Sequence, residues 1–223
     1  MGSAFVRKLI AEFLGTFTLV FIGAFAVDVT GVAGAGANVV VPALAHGLVL
    51  IGAIYAYGHI SGAHFNPAVT VGLLVGRKVN AVTAVAYIAA QFMGGIAAAV
   101  LLMALLPAPT NFGVTKGILT DSNIGQAVVI EAILTFFLVS AIFQAAVYNK
   151  AGSHAPLAIG FTLAACILAG GVYTGASLNP ARTLGPALAA GDVAYVIPYF
   201  VGLFAGGALG GLVHSLLIPS KAS

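Results

Sequence analysis

The sequence predicts an all-α membrane protein: six transmembrane helices plus two re-entrant half-helices, arranged as an inverted internal repeat. Three observations carry this prediction. Of 223 residues, 61% are hydrophobic and 6% charged, whereas soluble domains carry about 25% charged residues. The apolar residues gather into six stretches, each near the roughly 20 residues a helix needs to cross a bilayer. An apolar motif built around Asn-Pro-Ala occurs twice, once in each half of the chain.

The spans are expected near 9–28, 39–58, 81–105, 124–147, 156–173 and 195–217. They form one transmembrane domain over 1–223, with repeats at about 1–106 and 124–217. Arg7 and Lys8 precede an apolar stretch, as in a signal peptide. Glu12 within that stretch and the lack of a cleavage site favour a retained first span. Segments 59–76 and 173–190 are too apolar for solvated loops; the longest polar connection is 107–123. Arg7, Lys8, Arg77, Lys78, Lys150 and Lys221, six of the eight basic residues, fall on one side. The positive-inside rule makes that side, and both termini, cytoplasmic. Asp28, Lys116, Asp121 and Asp192 are expected outside. The net charge of +3 therefore reads as topology and not as nucleic-acid binding. The single cysteine, Cys166, has no partner within the chain and reads as a small core residue.

The repeat is specific. GAHFNPAVTVG at 62–72 and GASLNPARTLG at 175–185 agree at seven of eleven positions, and EFLGTFTLV at 12–20 resembles EAILTFFLV at 131–139. Three spans per half is an odd number, so the second copy inserts upside down, an architecture of transport proteins. Asn is a strong helix N-cap and Pro is favoured at the first helical position. Asn66-Pro67-Ala68 and Asn179-Pro180-Ala181 thus start helices. Segments 66–75 and 179–188 are each about 15 Å long, half a bilayer core. Entering from opposite faces, they meet tip to tip at the midplane.

The preceding segments, 60–65 and 173–178, are non-helical backbone at membrane depth, tolerated where buried or lining an aqueous cavity. Gly62, Ala63, His64, Gly175 and Ser177 belong to them. Each Asn oxygen caps its own helix, leaving the amide donors to face a pore. Two helix N-termini direct positive potential at that point. Water passing there turns its oxygen toward the asparagines, which breaks proton hopping, and cations are repelled. Arg182 follows Asn179 by three residues, where the first half has Val69. A cation near a helix N-terminus opposes the dipole, and insertion scales charge about 2.5–3.5 kcal/mol for Arg at mid-membrane. Such a residue is kept for function.

These motifs, with Gly62-Ala63-His64-Phe65 before the first and Arg182 after the second, resemble the aquaporin superfamily of major intrinsic proteins across the whole chain. The resemblance implies a right-handed bundle, a homotetramer with one pore per subunit, and passive water conduction without protons or ions. It puts a four-residue selectivity filter at His46, Ile167, Ala176 and Arg182. It makes His64 a pore-lining residue and Glu12 and Glu131 carboxylate braces for the re-entrant loops. The filter is similar to that of the plant tonoplast intrinsic proteins. Ile and Ala leave a wide, apolar opening, so ammonia and urea are expected partners beside water; Phe112, where some ammonia-permeable relatives have a loop His, counts against this. Thr183 after Arg182, where glycerol facilitators carry Asp, and Tyr199-Phe200 both favour water over glycerol.

A proton-coupled transporter would use the same buried Glu and His residues, but the two acids sit in matching scaffold positions. No metal-ligand cluster, nucleophile set or phosphate loop points to an enzyme, and no cofactor is expected. A purely structural membrane protein has no need of Arg182. The short termini suggest a cell membrane, and the filter resembles vacuolar relatives. Gly202, Gly206, Gly207, Gly210 and Gly211, with Gly94, Gly95, Ala98 and Ala99, read as close helix packing.

Overall fold

The computed structural model describes residues 2–32, 38–106 and 110–217, with no side-chain account of 29–32. Lys221, and the start of the 107–123 connection, lie outside the described residues. Helices α1 (Ser3–Val32), α2 (Val40–Ser61), α4 (Ala81–Leu105), α6 (Ile124–Ile142), α7 (Ala155–Thr174) and α9 (Val196–Leu217) are long and apolar enough to cross a membrane. Two short helices, α3 (Pro67–Val75) and α8 (Pro180–Ala190), follow the two Asn-Pro turns. No strand occurs among the described residues.

Several elements differ from expectation. First, α1 begins earlier than 9, since nothing in 3–8 breaks a helix. Second, α6 passes into a π-helical turn, Phe143–Val147. Third, the polar connection contains a one-turn helix, α5 (Ile118–Ser122), where the Gly117 N–H bonds the Thr120 hydroxyl at 2.9 Å. The second half-helix also outruns its expected end. It stops at Gly191, whose φ of 69° supplies the left-handed cap.

Packing crosses between the halves. Besides its own half's helices, α3 lies against α9 and α8 lies against α4. The small residues make these approaches possible. A Cβ on Gly211 would fall 2.0 Å from the Gly72 carbonyl oxygen, and one on Gly207 would fall 2.3 Å from that of Ala68. Gly95 meets Ala181 in the same way, while Gly94 faces α1 and Gly202 and Gly206 face α6. With each half-helix wedged against the other half's last or third span, both Asn-Pro tips are carried to the same place.

Candidate functional site

Each half-helix starts at its Asn. The Asn66 Oδ1 accepts from the Ala68 N–H at 2.9 Å, and the Asn179 Oδ1 accepts from the Ala181 N–H at 3.0 Å. Both asparagines have extended backbone, as an N-cap requires. The amide nitrogens are not wholly free, which corrects the sequence reading. Asn66 Nδ2 donates to the Leu178 carbonyl at 2.7 Å, and Asn179 Nδ2 donates to the Phe65 carbonyl at 3.0 Å. Each tip is thereby tied to the residue before the other tip. One N–H per asparagine remains for a guest molecule.

The loops before the asparagines are strained alike. Ala63 and Phe65 have φ of 52° and 49°, and Ala176 and Leu178 have φ of 42° and 53°. Non-glycine residues avoid this region, so something must hold them. In the first loop Glu12 Oε1 accepts from the Ser61 hydroxyl at 2.6 Å and the His64 N–H at 3.0 Å, and Oε2 accepts from the Phe65 N–H at 2.8 Å. In the second, Glu131 accepts from the Thr174 hydroxyl at 2.8 Å and from the Ser177 and Leu178 N–H groups at 2.9 and 3.0 Å. Both carboxylates are 0% exposed. Two tyrosines finish the frame: Tyr87 donates to the Ser61 carbonyl and Tyr199 to that of Thr174, each at 2.8 Å. Gln91 adds a donor to Glu12 at 2.8 Å. The bracing roles of Tyr87, Tyr199 and Gln91 escaped the sequence reading. Aligning the repeats beyond the motif matches Tyr87 with Tyr199 and would have exposed the pair.

With the amide groups of the loops so engaged, the carbonyls of Gly62, Ala63 and His64, and of Gly175, Ala176 and Ser177, accept from no donor among the described residues. A ladder of free acceptors results on each side of the asparagines.

Three chambers lie in file. The inner one, about 680 Å³, is bounded by Tyr55, His59, His64, Lys78 and the π-helical turn. The middle one, about 70 Å³, holds His64, Asn66, Ser177, Asn179 and apolar side chains such as Leu50, Val69, Ile159 and Leu163. The outer one, about 140 Å³, is bounded by Val39, Lys116, Ile167, Gly175 and others. His64 and Gly62 belong to both the inner and middle chambers. His46 and Arg182 belong to both the middle and outer ones. The chamber at the asparagines is the smallest of the three, with His46 and Arg182 at its outer junction. Of the expected filter set, Ala176 is buried beside Gly175 and bounds none of these chambers.

The hydrogen bonds of His46 assign its tautomer. Nδ1 lies 2.7 Å from the Pro42 carbonyl, an acceptor only, so Nδ1 carries the proton. Nε2 then accepts from Arg182 Nε–H at 3.0 Å. Arg182 Nη1 donates to the carbonyl of Gly113, a residue the sequence reading passed over in favour of Phe112. Arg182 is 2% exposed. Asp28, expected on the outer side, is only 5% exposed: its Oδ1 accepts from the Gly113 N–H at 3.2 Å. A lone acid at a span end reads as a surface group, and only the returning 110–117 segment reveals its burial. Near the same chamber Lys116 pairs with Asp121 at 2.8 Å and Asp192 at 2.9 Å, which raises its pKa above the ordinary lysine value.

Known proteins are similar to this chain in sequence and fold. The family model described as major intrinsic protein matches residues 2–214. The lens fiber major intrinsic protein of Lithobates pipiens is 41% identical over 218 residues, covering 96% of this chain and 82% of its own. Aquaporin TIP4-4 of Zea mays is 41% identical, with 97% and 88% covered. The probable aquaporin TIP2-2 of Arabidopsis thaliana is 38% identical, with 95% and 87% covered. Among solved structures, the aquaglyceroporin from Plasmodium falciparum superposes with a TM-score of 0.77 at 27% identity, over 96% of this chain and 95% of that one. With this likeness over nearly its whole length, the chain belongs to the major intrinsic protein family, the aquaporins, whose members are multi-pass membrane channels and not enzymes.

Proposed function

We propose that the chain conducts water passively and excludes protons and ions. The observation that carries this reading is the junction of the three chambers. A lumen of about 70 Å³ passes two N-capping asparagines, each with one free N–H, and opens outward only past the Arg182 guanidinium. Water meets acceptors on the loop carbonyls, donors at the asparagines, and acceptors again. Its dipole must reverse at mid-membrane, so a continuous hydrogen-bonded wire for protons does not form. The positive ends of α3 and α8 and the Arg182 charge repel cations. Asn66, Pro67, Ala68, Asn179, Pro180 and Ala181 set the centre, and His46, Ile167 and Arg182 set the outer constriction.

Stopped-flow swelling of proteoliposomes tests the reading. Fast swelling with a low activation energy and no proton uptake is expected. Swelling equal to that of protein-free vesicles refutes it, and coupled proton flux favours a transporter. Glycerol is the decisive second solute, since a solved relative is an aquaglyceroporin; exclusion of glycerol is expected.

A second reading adds ammonia and urea, favoured by Ile167 on the outer chamber, where a hydrogen-bonding residue would hold water in preference. Uptake of neutral ammonia no faster than in empty vesicles removes it.

The proposal includes one channel domain over 1–223 with inverted repeats at about 1–106 and 124–217, a homotetramer, and both termini in the cytoplasm. Arg7, Lys8, Arg77, Lys78 and Lys150, at one end of their spans, support the orientation. We place the channel in the cell membrane, with the vacuolar membrane as the alternative. A fluorescent fusion separates the two, and light scattering coupled to chromatography tests the tetramer.

A further inference from the structure

Asp28 is a buried acid that the water path does not touch. It sits in α1 one turn beyond Ala24, and the two residues share a face against Gly113. A Cβ on Gly113 would fall 2.4 Å from the Ala24 Cα, and its φ is +70°. The segment therefore lies flush on α1 at this one point, and only glycine fits there. Asp28 Oδ1 accepts the Gly113 N–H at 3.2 Å, an N–H shared with Asn111 Oδ1 at 3.0 Å. The carbonyl of the same glycine accepts from Arg182 Nη1. Asp28 Oδ2 is buried with no hydrogen-bond partner among the described residues.

A buried carboxylate oxygen without a partner destabilises the fold, so a hydrophobic residue would serve the packing better. Arg182 gives the reason for the acid. Its hydrogen-bond partners are a neutral imidazole and a peptide carbonyl, and no carboxylate touches it among the described residues. Asp28 reaches Arg182 through Gly113, whose N–H it accepts and whose carbonyl lies in the next peptide unit, so the link is one of position: holding the N–H fixes where the carbonyl points.

We propose that Asp28 is the positioning residue of the outer constriction: it fixes Gly113 on α1, and the Gly113 carbonyl holds the Arg182 guanidinium beside His46. The role in permeation rests on the water-channel reading; the contact itself does not.

Two measurements test it. In stopped-flow swelling, Asp28→Ala lowers water permeability per protein by about three- to tenfold, the range expected from losing one hydrogen-bonded link. Asp28→Asn, which keeps the acceptor but not the charge, recovers at least half of that loss. In an Arg182→Ala background, Asp28→Ala has no further effect. An equal loss in both backgrounds overturns the proposal, because a general brace of the fold would act without Arg182. The second measurement is independent of transport. Solid-state dipolar recoupling between carbonyl-labelled glycine and guanidinium-labelled arginine reads the Gly113–Arg182 contact, assigned by its loss in Arg182→Lys. The contact should be present in the wild type and lost in Asp28→Ala. Its persistence in Asp28→Ala overturns the proposal. Should Asp28→Ala fail to insert, Asp28→Leu fills the volume without accepting and is judged by the same two outcomes. A wild type that does not swell sinks the water reading, while the dipolar contact still decides the role of Asp28.

Discussion

Replacing Glu131 by glutamine changes one atom's chemistry and little volume, and the structure fixes what that costs. Glu131 Oε1 accepts from Thr174 and Ser177, and Oε2 accepts from Leu178. In the better orientation the glutamine oxygen keeps the first two bonds. Its NH₂ then faces the Leu178 N–H, donor against donor, in a site with no water access. One buried N–H left unsatisfied costs about 1–3 kcal/mol, and turning two charge-assisted bonds into neutral ones costs about 1 kcal/mol each. The total is about 3–5 kcal/mol, a large share of the roughly 5–15 kcal/mol that holds a typical protein folded. The damage also reaches the lumen, because the Leu178 carbonyl anchors Asn66. Glu131→Gln should lower the unfolding midpoint in detergent by about 10 °C, scaled from soluble domains, and lower water permeability with it. Glu12→Gln should cost less, because Gln91 already contacts the carboxylate and can turn its amide to offer an oxygen. The assay is fluorescence-detected size exclusion after a temperature ramp, with swelling on the same preparations. An unchanged midpoint and permeability for Glu131→Gln would refute the bracing argument, as would a larger loss for Glu12→Gln.

Two glycines in the spans should behave oppositely. Gly211→Ala puts a methyl 2.0 Å from a carbonyl oxygen of α3 and must push backbone from backbone, costing about 1–3 kcal/mol or more. At Gly52 a Cβ meets nothing within 4 Å, and alanine should stabilise by about 0.5–1 kcal/mol. Thermal unfolding of both variants checks the contrast. His46→Phe removes the acceptor for Arg182 Nε–H. It should reduce ammonia uptake relative to water, and an unchanged ratio in proteoliposomes counts against His46 as part of the constriction. Lys116 has its pKa raised first by the Asp121 bond and then by Asp192. The folded value exceeds the unfolded one, so the pair's stabilisation is complete below the ordinary lysine pKa and lost as pH rises through the folded value. Stability should therefore show no pH dependence from this lysine between pH 6 and 8, where Lys116→Met is the less stable by a constant amount, and the gap between variant and wild type should close only in strong alkali.

What the sequence disclosed follows from duplication. A motif written twice exposes its own chemistry: the two asparagines, the two glutamates, and the glycines that let α3 and α8 pack across the halves were all legible because each has a counterpart. Gly95 against Ala181 and Gly207 against Ala68 are the same contact made twice. Spans were legible because lipid demands long apolar runs, and their ends were less so, since nothing in residues 3–8 marks a start. The cross-bonds from Asn66 to Leu178 and from Asn179 to Phe65 join positions 112 and 114 apart, and no local pattern announces them.

Arg182, Asp28 and Gly113 share a different property: they have no repeat mate, and of the three only Arg182 was legible as a functional residue. Arg182 stands where the first half has Val69, and Asp28 and Gly113 serve only that arginine's end of the lumen. A scaffold built from two inverted copies is nearly the same seen from either side, and its mirrored asparagines act on protons and ions while leaving open the choice among neutral solutes. Glu12 and Glu131, or Tyr87 and Tyr199, hold both loops alike and leave selectivity undecided. Discrimination must come from departures from the repeat, and these converge on one place, the junction of the outer and middle chambers where Arg182 meets His46 and Gly113. Substitutions that restore symmetry there should alter which solutes pass. Substitutions in the mirrored frame should instead lower stability and permeability together, with selectivity little changed.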